Sequence, residues 1–254
     1  MDQHNFAHMY YVVDKTQEEH FNDLKTSLQA IGAERVADAV THVPFGRVLG
    51  MKTRQNTAIH ISSILNTTTQ LVRDALSNGK HTRVESSEFD STAEKIAVSM
   101  LILHDFLHKR MSDYTFQWSH FNSLQGENAF FLQYTNARLR SLFKKYKFNE
   151  SAVDVPHDFV LEQNSVADRS LIMTCQHLIG WQDAVETSNE HLDPHYIAIY
   201  LIRLCQCLST FYYNAPCHSV SPTIAHQRLS VFAAGARVLQ NGMSLLGLQP
   251  IDRL

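Results

Sequence analysis

SPTIAHQRLSVFAAGARVLQNGMSLLGLQP, Ser221 to Pro250, decides the fold. Ala225, Leu229, Phe232, Ala236, Leu239, Met243 and Leu246 step by four and three without a break, which draws one apolar stripe along a long helix. Ser221-Pro222 supplies an N-cap and a first-turn proline. Gly247 suits the position just past the end, and Pro250 prevents continuation. A stripe this regular specifies packing inside a helical bundle and carries no chemistry of its own.

Reading outward, the helical period recurs through most of the chain. Ile64, Leu65, Thr68, Leu71, Val72, Ala75 and Leu76 share one face, which Asn78-Gly79 closes. A polar linker covers about residues 79 to 90, and Ser91-Thr92-Ala93-Glu94 reads as a capping box that opens a helix to about Lys109. Further helices are expected over about 128 to 147, from Ser165 onward, and after the cap pair Asp193-Pro194. Only the first sixty residues read as α/β. MYYVVD, Met9 to Asp14, predicts a buried strand, Phe21, Leu24, Leu28 and Ile31 a helix stopped at Gly32, and HVPFGRVLGM a strand broken at Pro44 and Gly46. The fold class is therefore mainly α, a helical bundle preceded by a small α/β part.

The chain has 254 residues, 44% hydrophobic and 19% charged, which suits a globular protein with a real core. No apolar run approaches the roughly 20 residues of a membrane span, and the N-terminus has neither the basic nor the apolar region of a signal peptide. The net charge of -3 gives no general reason to expect nucleic acid, so only a local basic patch supplies one. Cys175, Cys205, Cys207 and Cys217 form no C-x-x-C pair and read as reduced thiols. The fifteen histidines form no H-E-x-x-H motif and no H-x₃₋₅-H pair with cysteine partners, so no protein-bound metal is expected.

Phe130 to Lys147, FFLQYTNARLRSLFKKYK, holds such a patch: five cations and no acid. On a helical wheel Phe131, Leu132, Thr135, Leu139, Leu142, Phe143 and Tyr146 share a face, and Arg140, Lys144 and Lys147 line the far side. Arg138 and Lys145 border the apolar face near Tyr134. This pattern fits a phosphate backbone with one aromatic for stacking, and it equally fits a solvated basic face.

Four segments in order carry a resemblance: YYVVDKTQEEHF (Tyr10–Phe21), HVPFGRVLGMKTRQN (His42–Asn56), FLQYTNARLRSL (Phe131–Leu142) and ARVLQNGMSLLGLQPIDRL (Ala236–Leu254). Together they resemble arginyl-tRNA synthetase, with the mitochondrial type closest. The resemblance implies residues 1-88 as the end of a Rossmann-like class I catalytic domain with a connecting helix, and 89-254 as a DALR-type anticodon-binding bundle. It implies Lys52, Thr53 and Arg54 as the loop that closes over ATP, where cations meet the negative charge growing on departing pyrophosphate. Gln17 matches a glutamine that recognises the arginine substrate, because an amide oxygen accepts from a guanidinium. His20, His42, Phe45 and Gly46 match the nucleotide pocket, although His20 reads equally as a helix-surface residue and Phe45 as core. Gln133, Tyr134, Arg138, Arg140, Lys144, Lys147 and Arg228 are the implied tRNA contacts, with Arg228 open to a structural role.

Four departures stand out: Asn56 where glycine is usual, Asn136 where histidine is usual, Ala225-His226-Gln227-Arg228 where the family pattern D-A-x-R keeps only its arginine, and Leu254 where methionine is usual. The resemblance further implies ATP with Mg2+ as substrate, arginine and an arginine-accepting tRNA as partners, and a monomer. The subtype implies the mitochondrial matrix, with the cytoplasm as the alternative. No H-x-G-H phosphate motif occurs, so the sequence holds one wall of the activation pocket. A non-catalytic tRNA-binding module and a helical scaffold are the competing readings.

Overall fold

A computed structural model of the chain describes residues 7–50, 60–78, 84–85, 87–121, 126–150, 159–161 and 165–254. It divides into two compact units, residues 1–58 with 108–117, and 59–107 with 118–254.

The first unit is built on one β-α-β crossover. Strand β1 (Met9–Asp14) leads through helix α1 (Glu18–Ala30) and helix α2 (Glu34–Ala39) into strand β2 (Val40–Phe45), which pairs parallel to β1 from Met9↔Val40 to Asp14↔Phe45. Parallel neighbours need such a connection, because a hairpin cannot reverse the chain twice. Gly32 ends the α1 turn at φ 75°, where a side chain is strained. A second, short parallel pair joins β3 (Val48–Leu49) to β4 (Tyr114–Thr115). The return of 108–117 to this unit escapes the helical periodicity that surrounds it. The expected burial of β1 is corrected: Tyr10 is 56% and Val12 62% exposed. Tyr11 meets Phe21 of α1, so the helices cover one face of the two-stranded sheet while Tyr10 and Val12 stand on the other.

The second unit is all helix: α3 (Ile61–Asn78), α4 (Phe89–Phe106), α5 (Ala129–Tyr146), α6 (Val166–Ile179), α7 (Trp181–His191), α8 (His195–Asn214) and α9 (Pro222–Leu245). Helix α3, which the family resemblance groups with the front part, packs on α4 in this unit. Helix α8 lies at the centre and touches α4, α5, α6, α7 and α9. The α9 stripe is buried at Leu229, Phe232, Ala236, Leu239, Met243 and Leu246. Caps sit where local chemistry demands them. Ser165 Oγ accepts from Asp168 N at 3.0 Å, and Ser221 Oγ from Ile224 N at 3.3 Å. Gly247 at φ 75° closes α9 with Leu248 N donating to Met243 O at 2.8 Å, the glycine-closed end expected there. Helix α4 departs from expectation. It starts at Phe89, and the Ser91 hydroxyl donates to Glu88 O at 3.0 Å instead of capping, so the helix opens one turn early and ends at Phe106.

Candidate nucleic-acid interface and nucleotide-pocket wall

In the first unit the carboxyl ends of β1 and β2 lie side by side, the place where parallel α/β sheets bind ligands. Four charges organise that edge. Arg47 donates Nε–H to Asp14 Oδ2 at 2.7 Å and Nη2–H to Oδ1 at 3.3 Å and to Thr16 Oγ1 at 3.0 Å. Asp14 Oδ1 also accepts from Thr16 N and Thr16 Oγ1 at 2.8 and 2.7 Å. The Arg47 guanidinium, then the Thr16 N–H, hold the Asp14 carboxyl well below the usual carboxylate range. Asp113 accepts from Lys15 Nζ at 2.8 Å and from Arg47 N at 2.7 Å, and its carboxyl is lowered by that lysine first. The network fixes the 3-10 turn Lys15–Gln17 and the start of β3 in place.

The expected pocket residues take distinct positions around this edge. Gln17 is exposed at the N-terminus of α1 and makes no capping bond, so its amide is presented outward. His20 is exposed one turn into α1. His42 faces the helices: its ring stacks on Phe21 with centroids 4.6 Å apart, and its Nε2 lies 3.3 Å from the Val13 carbonyl. Phe45 is 39% exposed at the end of β2, outside any core. Gly46 permits a close backbone approach, and the partner here is protein: a Cβ would fall 2.2 Å from Ser112 O. Lys52, Thr53, Arg54 and Asn56 lie outside the described residues.

In the second unit α5 places its polar residues in three directions. One set points into the core. Gln133 and Asn136 are fully buried and clasp the C-terminal tail: Gln133 Nε2 donates to Gln249 O at 2.8 Å, Gln133 Oε1 accepts from Ile251 N at 3.0 Å, and Asn136 Nδ2 donates to Ile251 O at 2.8 Å. Gln240 Nε2 adds a bond to Asn136 Oδ1 at 3.1 Å. Gln133 is thus engaged with the tail and not offered to a ligand. Arg228, only 4% exposed, donates to Pro216 O at 2.6 Å and takes the structural alternative.

A second set forms a stacking edge. Tyr134 is 45% exposed, and the Arg138 guanidinium lies 5.6 Å from its ring centroid and 4.1 Å from that of Tyr212 on α8. A cleft of about 350 Å³ opens beside them, lined also by Lys145, Tyr146, Tyr213 and His218. Tyr212 has no sequence signal of its own, because only the α5–α8 packing brings it to Arg138. The third set is cationic. Lys144, Lys145 and Lys147 are exposed, and among the described residues no ion pair engages them. Arg140 differs from the other two members of its stripe: it pairs with Glu150 and, at 3.4 Å, with Asp252. Arg140, Lys144, Lys145, the two carboxylates and Arg253 surround an open groove of about 730 Å³.

The class I tRNA synthetase (R) catalytic-domain model matches residues 1–118, and the DALR anticodon-binding domain model matches residues 132–254, in the order of the two units' main segments. The probable mitochondrial arginine–tRNA ligase of Bos taurus is 32% identical across all of this chain. The chain belongs to the arginyl-tRNA synthetase family. It corresponds to 42% of the bovine protein's length, so it spans well under half of the relatives it matches. The cytoplasmic arginine–tRNA ligase of Saccharomyces cerevisiae is 27% identical, with 41% of its length covered. The solved arginyl-tRNA synthetase of Plasmodium falciparum superposes with a TM-score of 0.77 at 22% identity, over 99% of this chain and 42% of that one. The catalytic-domain match takes in the β-α-β unit together with α3 and α4 of the bundle, and the DALR match takes in the bundle from within α5 to the C-terminal tail.

Proposed function

We propose that this chain serves the arginine–tRNA ligase reaction, the ATP-dependent attachment of arginine to tRNA, as its tRNA-gripping part together with one wall of the activation pocket. The observation that carries the reading is the outer face of α5: three lysines that no ion pair engages among the described residues, beside an aromatic–guanidinium edge formed by Tyr134, Arg138 and Tyr212. Lysines supply counterion release on a phosphate backbone, and an exposed tyrosine offers a stacking platform to an unpaired base. The contact set is therefore Tyr134, Arg138, Lys144 and Lys147, joined by Lys145.

At the strand edge, Lys15 and Arg47 are already held by carboxylates. The family resemblance assigns Lys52 and Arg54 to the ATP phosphates, with Thr53 a hydroxyl donor beside them. Gln17 takes the guanidinium of arginine, while His20 and Phe45 border the adenosine and His42 supports that wall from behind. Mg2+ accompanies ATP as substrate, and among the described residues no three His, Cys, Asp or Glu side chains converge as ligands. The mitochondrial matrix is the proposed compartment, because relatives of mitochondrial type match over the whole chain.

The same outer face of α5 also fits a second reading, a tRNA-binding module without catalysis of its own. One experiment separates the two. Arginine- and tRNA-dependent ATP–pyrophosphate exchange by the purified chain supports ligation, whereas salt-sensitive tRNA binding without exchange supports the module. Reversing charge at Lys144 and Lys147 to glutamate is expected to weaken tRNA binding at least tenfold at 0.1 M salt. The same change is expected to flatten the salt dependence by about 0.9 for each phosphate left without its cation. An unchanged slope removes α5 as the contact surface.

A further inference from the structure

The cations around the α5 groove are not equivalent. Arg140 sits in a bracket of two carboxylates, and the bracket is built before any ligand arrives. Asp252 follows Ile251, whose N–H and C=O are both held by buried Gln133 and Asn136. Glu150 is steadied at its backbone by Arg237 Nη2, 3.3 Å from the Glu150 carbonyl. A phosphate reaching Arg140 must displace two carboxylates whose backbones are fixed, and it meets their charge on the way. Lys144 and Lys145 line the same groove with no such partners among the described residues. Arg140, Glu150 and Asp252 together carry a net charge of about -1, so this side of the groove repels a polyanion that the lysines attract.

We infer that Glu150 and Asp252 withhold Arg140 from the RNA contact set and thereby lower the groove's affinity for RNA phosphate, making the two carboxylates determinants of selectivity and of salt dependence. This rests on the tRNA-binding reading above. It assigns Arg140 to latching the C-terminal tail, in place of the phosphate contact expected from its position in the stripe. Charges opposed to a ligand weaken every polyanion and leave discrimination to contacts that read more than charge, here the Tyr134–Arg138 edge.

The test uses the full chain and unfractionated tRNA carrying a fluorophore, titrated at a series of potassium chloride concentrations. Arg140→Gln is expected to leave the slope of log affinity against log salt unchanged, while Lys144→Gln flattens it. The double variant Glu150→Gln, Asp252→Asn is expected to bind on the order of five- to tenfold tighter at 0.1 M salt, with a slope steeper by about 0.7 to 0.9. Adding Arg140→Gln to that pair then removes the extra slope. Circular dichroism melts verify folding, and Asp252→Asn alone, at a side chain 76% exposed, moves slope and affinity in the same direction with the Glu150 contact intact. If Arg140→Gln flattens the slope as Lys144→Gln does, or if tRNA binding ignores both carboxylates, this inference falls while the tRNA reading stands. If the unaltered chain binds no tRNA at low salt, the tRNA reading falls and takes the inference with it.

Discussion

Gln133 illustrates how one side chain can be mistaken for a ligand contact. Its neighbours on the helix, Tyr134 and Arg138, face outward, and the family resemblance assigns all three to the same partner. Its burial follows from helical geometry: Leu132, Gln133, Thr135, Asn136 and Leu139 all lie in the core-facing arc. A polar residue in that arc must be satisfied internally, and the tail supplies the missing groups as Gln249 O and Ile251 N. The sequence marks Gln133 as important without showing for what, because its partner lies more than a hundred residues away. Gln133→Ala strands one carbonyl and one N–H inside the bundle. Each buried orphan costs about 1–3 kcal/mol, so a destabilisation of about 2–4 kcal/mol is expected from urea unfolding with an unchanged m-value. A change below about 1 kcal/mol means that water reaches the tail and that the clasp is not what holds it.

Whole helices are more legible than single roles. The α9 stripe and the Ser165 and Ser221 caps depend on residues within a few positions of one another, and local chemistry determines them. The start of α4 is ambiguous in sequence because Ser91 has two uses for its hydroxyl, and donating to a carbonyl one turn back extends the helix instead of opening it. Sequence also gives no sign of how closely α8 and α9 approach. Gly235 and Gly242 lie seven residues apart on α9, opposite Leu208 and Leu201 on α8, and a Cβ at either glycine would fall 2.5 Å from a leucine methyl. Both leucines are buried in the core cluster, so they have little room to turn aside. Alanine in a helix interior gains about 1 kcal/mol over glycine, while overpacking costs about 1–3 kcal/mol at each site. The double variant Gly235→Ala, Gly242→Ala is thus expected to be destabilised by about 1–3 kcal/mol on thermal or urea unfolding. A stabilisation instead means that the leucines repack freely and that the glycines serve no close approach.

At the scale of the molecule, the two units draw on different reserves of burial. The bundle's core runs through α3, α4, α5, α6, α8 and α9. The first unit buries Phe21, Ala37, Ala39, Val40 and Val43 and leaves Tyr10 and Val12 in solvent. Composition cannot foresee that exposure. An apolar strand sequence records that a strand favours burial, not whether a neighbour is present to cover it, and MYYVVD reads the same in either case. A two-stranded sheet with one covered face is marginal in water, because too little apolar area offsets the ordering of its backbone. Electrostatics does not compensate: the Asp14–Arg47 and Lys15–Asp113 pairs are substantially exposed, and such pairs contribute little in salt. Local opening free energy should therefore differ sharply between the units. In native-state hydrogen exchange followed by mass spectrometry, peptides from α8 and α9 are expected to exchange only through global unfolding. Peptides covering Met9–Asp14 and Val40–Phe45 are expected to exchange at least a hundredfold faster, and independently of the bundle. Equal protection in both sets would mean that the strands borrow stability from an element that covers Tyr10 and Val12 in solution, and the account of the front unit as a weakly held wall would have to be abandoned.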